Sequence, residues 1–221
     1  MDFSVFHEFD YAIFTFFGSI QSVFMNYVAN FFTFFGDELF VIPMIIVGLV
    51  LVFFKKTRKA GMAVFFAIIV GTLITNVVAK PLFARSRPYI ELASDEAYMA
   101  WYTFAGAFTE GDKSFPSGHT TGAFEIATAL FLTLNKKYSW IFPVIAVGTG
   151  LSRIYLMVHF PTDVIGGVIV GVISGVIGYF LMKAVMKAIE KTKFNDFDLI
   201  KKIKKAYLRF NTTARVNNRH G

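Results

Sequence analysis

Long apolar runs constrain this chain more than any other feature. They cover residues 11–35, 39–54, 60–79, 120–134, 138–158 and 164–189, with charged or turn residues between them. A helix crosses the hydrocarbon core with about 20 apolar residues. In lipid the backbone polar groups must be satisfied within helices or closed barrels. Runs of this length, broken by few charges, read as helices. Composition agrees: 55% of residues are hydrophobic, 28 are Phe, and 17% are charged, where an ordinary globular chain has about a quarter charged. The expected fold is all-α, a polytopic membrane protein with six transmembrane helices. A disordered chain is excluded, and so is a disulfide scaffold, because Cys is absent. The first run is not read as a signal peptide. Asp2, Glu8 and Asp10 precede or open it where positive charge belongs, and it is too long.

Charge sets the expected orientation. The net charge is +7, and most of it lies in three groups: Lys55, Lys56, Arg58 and Lys59; Lys136 and Lys137; and the segment from Lys183 onward. Cytoplasmic loops concentrate Lys and Arg, so a multi-pass protein of the cell membrane explains the excess, with no nucleic-acid partner. Six helices put both termini on one side, here the cytoplasm. Two units follow: a six-helix domain over 1–190 and a basic cytoplasmic tail over 191–221. In the tail Phe197, Ile200, Ile203, Tyr207 and Phe210 recur at helical spacing among lysines. That pattern fits an amphipathic helix on the inner leaflet, or a frayed basic tail, with 211–221 expected to be disordered.

Five of the 22 Lys and Arg fall on the other side: Lys80, Arg85, Arg87, Lys113 and Arg153. Unpaired charge at a membrane edge is costly, so these cations need anionic partners. They belong to three clusters: Lys80-Pro-Leu-Phe-Ala-Arg85-Ser-Arg87-Pro88; Pro116-Ser117-Gly118-His119; and Ser152-Arg153 followed by His159-Phe-Pro-Thr-Asp163. All three sit at the outer ends of expected helices, so they can converge at the outer membrane–water interface. The Arg fork suits phosphate oxygens. Ser117 is placed to cap the next helix, directing the N–H groups of Gly118 and His119 toward an anion. His119 and His159 offer an acid and a nucleophile for the two sides of one phosphorus. Asp163, four residues after His159, can hold one imidazole nitrogen.

The clusters resemble the signatures of the type 2 phosphatidic acid phosphatase superfamily of membrane lipid phosphatases: Lys, six residues, Arg-Pro; Pro-Ser-Gly-His; and Ser-Arg, five residues, His, three residues, Asp. All three stand here without departure, between Lys80 and Asp163. The resemblance implies that His159 is the nucleophile and passes through a phosphohistidine, His119 is the general acid, and Asp163 orients His159. It implies that Lys80, Arg87, Ser117, Gly118 and Arg153 hold the phosphoryl oxygens, with no metal and no cofactor. The partners implied are the bilayer and a membrane lipid phosphate. Candidate substrates are undecaprenyl pyrophosphate, phosphatidylglycerol phosphate and phosphatidic acid, and the small size fits a bacterial enzyme. A lipid phosphotransferase on the same scaffold is the alternative. A vanadium haloperoxidase has a similar site in a soluble architecture, and an anion channel is the non-enzymatic reading.

Two features remain open at this level. The long segment 81–118, with Tyr89, Tyr98, Trp101 and Tyr102, suits the interface and reads either as a lid or as a plain surface loop. Glu125, about 9 Å of helix below His119 at 1.5 Å per residue, reads either as tuning a polar pocket or as pairing with a helix-lining group, the latter being favoured.

Overall fold

A computed structural model describes residues 3–192, 194 and 197–217. All regular structure among these residues is helical. Helix α1 (His7–Ser19) leads through a short turn to α2 (Val23–Thr33), and a tight turn at Phe34–Gly36 leads to α3 (Glu38–Val52). Helix α4 (Arg58–Thr72) continues through a wider π-type segment, Leu73–Ala79, into α5 (Lys80–Phe83). Two short helices follow, α6 (Pro88–Glu91) and α7 (Glu96–Ala105). Then come α8 (Gly118–Thr133), α9 (Lys136–Ser139), α10 (Ile141–Tyr155), α11 (Pro161–Ile189) and α12 (Leu199–Asn217).

Small residues hold the bundle together. Helix α11 packs between α4 and α8 on a glycine stripe. At Gly178 an added Cβ would lie 2.6 Å from the Ala67 nitrogen and 2.8 Å from the Ala63 carbonyl oxygen. Only a bare backbone fits there, which is how helices approach closely without a side-chain layer between them. Outward-facing residues such as Leu39, Ile46, Val144, Ile169 and Phe180 are exposed and apolar, as a lipid-facing surface requires. Three stretches are long and apolar enough to cross a membrane: Val23–Val52, Arg58–Glu91 and Pro161–Ile189.

The beginning of the chain departs from the sequence expectation. Residues 11–35 do not form one helix. The chain breaks at Ile20 and Gln21, and Ser22, in extended conformation, caps α2 by accepting from the Met25 N–H. Helix α1 then lies across the ends of α10 and α11. Asp10 and Phe14, one turn apart, are its buried residues. Asp10 accepts from the Thr162 N–H at 2.9 Å, Phe14 packs against Tyr98 and Phe160, and Phe17 meets Tyr155. A polar anchor and an aromatic face make α1 a cover over helix ends.

The described ends of the chain therefore sit at opposite ends of the bundle, where six helices had been expected to bring both termini to one side. Phe3 contacts Phe83 and Phe115 near the capped start of α8. At the far end, the Leu199 N–H donates to the Phe53 carbonyl, and Arg58 donates to the carbonyls of Phe194 and Phe197. Helix α12 runs to Asn217, past the point where disorder was expected; residues 218–221 lie outside the described residues. Segment 88–105 is not a surface loop either. Tyr98 and Tyr102 are buried, stacked on each other in a cluster with Phe14, Leu156 and Phe160.

Candidate active site

Helix ends bring the three clusters together. Lys80 opens α5, Arg87 immediately precedes α6, and His119 lies in the first turn of α8. Arg153 sits in the last turn of α10. His159 ends the connection into α11, whose first turn carries Asp163 behind Pro161. Proline at the first helical position presets the backbone and gives up an N–H that has no intrahelical partner anyway.

His159 is completely buried; Arg87 Nη1 reaches both of its nitrogens, lying 3.4 Å from Nδ1, but the carboxylates nearest the two nitrogens differ. Nδ1 lies 3.5 Å from Asp163 Oδ2. Nε2 lies 2.8 Å from Arg87 Nη1 and 3.7 Å from Glu110 Oε2. Burial, reinforced by the charges of Arg87 and Arg153, holds the imidazole well below its usual pKa. Asp163 is fixed from several directions. Its Oδ2 accepts from the Ser114 hydroxyl at 2.5 Å and the Phe160 N–H at 2.9 Å. Its Oδ1 accepts from Arg85 Nη1 at 2.7 Å. Arg85 in turn donates through Nη2 to Asp10 Oδ2 at 2.8 Å and lies over the rings of Phe3 and Phe160. The result is a buried line of groups, Asp10–Arg85–Asp163–His159, in which Arg85 is a positioning residue. A buried carboxylate needs such partners.

The remaining cations converge on one spot, and two acidic side chains occupy it. Glu110 pairs with Arg153 and, at 2.6 Å, with Arg87 Nη2. Asp112 pairs with both Lys80 and Arg87. Burial opposes ionisation of Asp112, yet its contacts with Lys80 and Arg87 leave its pKa below the usual carboxylate value. Arg87 is further held by the carbonyls of Val158 and Asp112, at 3.0 and 3.1 Å, and Arg153 by the Thr33 hydroxyl at 2.6 Å. All three cations expected to bind phosphate thus hold carboxylate oxygens.

His119 stands across this cluster, with Nε2 3.6 Å from Asp37 Oδ2. Asp37 also caps α3, accepting from the Leu39 N–H. Ser117 caps α8 as its sequence position suggested, accepting from the Thr120 N–H at 3.4 Å and the Thr120 hydroxyl at 3.0 Å. It is fully buried behind Gly118, off the cavity wall. Lys80, Arg87, Gly118, His119 and Arg153 all line one cavity of about 1090 Å³. Its lower part runs between α3, α4 and α8 past Ile45, Ile68 and Gly71 to Glu125. Charge at the mouth and apolar walls below match an amphiphile with an anionic head.

Sequence reasoning missed Asp10, Asp37, Glu110, Asp112 and Ser114, and assigned Arg85 no task. Only Arg85 carried a signal, as one of five cations on the wrong side. The acids belong to no spaced pattern and meet the cations through the fold alone.

Known proteins bear on this arrangement. Residues 60–187 match the family described as the PAP2 superfamily. Phosphatidylglycerophosphatase B of Bacillus subtilis (strain 168) is 34% identical over 160 residues, covering 67% of this chain and 70% of that protein. Undecaprenyl-diphosphatase BcrC of the same organism is 33% identical over 115 residues, about half of each chain, at 52% and 52%. Among solved structures, a transmembrane PAP2 type phosphatidylglycerolphosphate phosphatase from Bacillus subtilis superposes with a TM-score of 0.63. It shares 30% identity and covers 86% of this chain and 90% of that one.

Proposed function

The chain belongs to the PAP2 superfamily, whose relatives here are membrane lipid phosphatases, and from that premise we propose that it hydrolyses the phosphoester of a membrane lipid through a phosphohistidine on His159. The carrying observation is the division of that imidazole. Nδ1 faces a fixed carboxylate and Nε2 faces the point where the cations meet. With Nδ1 protonated toward Asp163, the Nε2 lone pair accepts from Arg87 Nη1, and it turns to phosphorus once Arg87 donates to the phosphoryl oxygens instead.

The steps follow from the positions. The substrate phosphoryl group displaces Glu110 and Asp112, and its oxygens take their places on Lys80, Arg87 and Arg153. The Gly118 N–H, at the start of α8, adds a donor. Nε2 of His159 attacks phosphorus, the P–N bond forms and the P–O bond to the lipid breaks. His119 gives a proton to the departing oxygen. The cations balance charge on the equatorial oxygens, the main catalytic demand in phosphoryl transfer. His119, now neutral, takes a proton from water, which attacks the phosphohistidine and releases inorganic phosphate. No step needs a metal ion, since three fixed cations supply the positive charge. Activity should therefore survive EDTA.

We also propose five membrane crossings rather than six: α2 with α3, α4 with α5, α8, α10 and α11. The site and α1 then lie outside and α12 lies inside, where its exposed Ile200, Ile203 and Tyr207 meet the inner leaflet. Rapid-quench trapping with a radiolabelled lipid phosphate tests the chemistry. An acid-labile phosphoenzyme should appear in the wild type and vanish in His159→Ala. Turnover persisting in His159→Ala would overturn the mechanism.

A further inference from the structure

Below the charged mouth, the cavity holds a second polar place that the reaction does not use. Glu125 of α8 is 2% exposed, and its Oε2 has no hydrogen-bond partner among the described residues. Among the described residues, this oxygen does not make the pairing with a helix-lining group favoured from sequence. The hydroxyl of Ser174, on α11, is also fully buried without a partner among those residues. The two groups meet at Gly71 of α4. A Cβ there would collide with Glu125 Oε2 and stand 3.4 Å from Ser174 Oγ. The absence of a side chain at 71 is what gives the carboxyl room. Thr75 and Thr121, whose hydroxyls are 3.4 Å apart, line the same cavity one turn nearer the mouth.

Unsatisfied polar groups in a membrane interior are costly, and an intramembrane carboxyl marks a site by default. This one forms part of the cavity wall, about 9 Å of helix below His119. Helical side chains lean toward the N-terminus, so the carboxyl points back toward the reacting end. An acyl carbonyl of a lipid phosphate lies a few bonds beyond the phosphate ester oxygen, in the same part of the cavity. An isoprenoid chain has no polar atom to offer there. In a membrane interior a carboxyl favours its neutral form, whose O–H is a donor for such a carbonyl, while Ser174 stands behind Glu125, off the cavity wall.

Building on the phosphatase reading, we propose that Glu125, backed by Ser174, forms a subsite for an acyl carbonyl, which selects acylated lipid phosphates over isoprenoid ones. Unpaired groups in a site built for hydrogen bonding discriminate strongly against analogues that lack the partner.

The test uses the purified full-length protein and three monophosphates: a diacylglycerol phosphate, its dialkyl ether analogue and a polyprenyl phosphate. The wild type should prefer ester to ether by about tenfold in kcat/KM, the scale of one hydrogen bond to a buried group. Glu125→Leu should remove that preference, mainly through KM on the ester, and leave the polyprenyl phosphate unchanged. Glu125→Gln, which keeps a donor and an acceptor, should retain most of it. Equal wild-type rates on ester and ether would overturn the subsite, even if Glu125→Leu failed to fold. So would equal losses by Glu125→Leu on all three lipids. A wild type inactive on every lipid phosphate would instead sink the phosphatase reading itself, so the two failures are distinguishable.

Discussion

Glu110 and Asp112 together touch Lys80, Arg87 and Arg153, and Glu110 stands 3.7 Å from Nε2 of His159, the nucleophile of the proposed reaction. A phosphoryl group has to compete with them. Removing their charge in Glu110→Gln with Asp112→Asn should tighten inhibition by inorganic phosphate about fivefold, the scale of two partly exposed ion pairs. Unchanged or weaker inhibition would mean that the acids support the site instead of filling it. A second consequence concerns pH. Burial, with Arg87 and Arg153, holds His159 below the ordinary imidazole value of about 6.5. The nucleophile stays neutral in mildly acidic solution, so the acid limb of kcat/KM should lie below pH 6.5. Below that pH the unfolded chain binds more protons at this residue than the folded one, so stability falls as pH falls. An acid limb at or above 6.5 would contradict the occluded geometry. The convergence of His159, Asp163, Lys80, Arg87 and Arg153 was legible in the sequence, from their clustering at expected helix ends. The acids were not, because ion-pair partners on a loop carry no periodicity.

The apolar runs from 39–54 onward became helices within a few residues of their expected limits, because charge and proline mark their ends. The first run misled. Gly18, Ser19, Gln21 and Ser22 form a turn signal inside it, and mean apolarity outweighs so short a break. The expected side of the first residues rested on thinner ground than that of the rest. The positive-inside rule reads Lys and Arg, and residues 1–54 contain neither. The side of the first residues was inferred from an even helix count alone. Among the later helices, α11 depends most on small residues. Gly178→Leu places a side chain against the backbone at Ala63 and Ala67. Overpacking of this kind costs about 1–3 kcal/mol, and thermal unfolding in detergent should show it as a lowered Tm. A neutral result would mean that α4 and α11 are less closely apposed than described.

At the scale of the whole molecule, the arrangement predicts which surfaces water-soluble reagents reach. The chain has no Cys, so single cysteines report cleanly. Cysteines at Ser4 and at Thr109 should both react with a membrane-impermeant reagent applied to intact cells. One at Asn135 should react only after permeabilisation. Labelling at Thr109 without labelling at Ser4 would restore an even number of crossings. Labelling at Asn135 alone would invert the protein.

Asp10 belongs to α1, yet its partners are Arg85 and Thr162, the latter next to Asp163. In order of synthesis, α1 precedes both of the residues that Asp10 braces. Arg85 joins it after α4 has inserted, and Thr162 arrives only with α11. The brace that fixes the carboxylate beside His159 therefore closes last, when nearly all of the bundle is in place. On the proposed mechanism, a half-inserted chain has no aligned nucleophile, so it leaves the lipids around it intact while it is still being built.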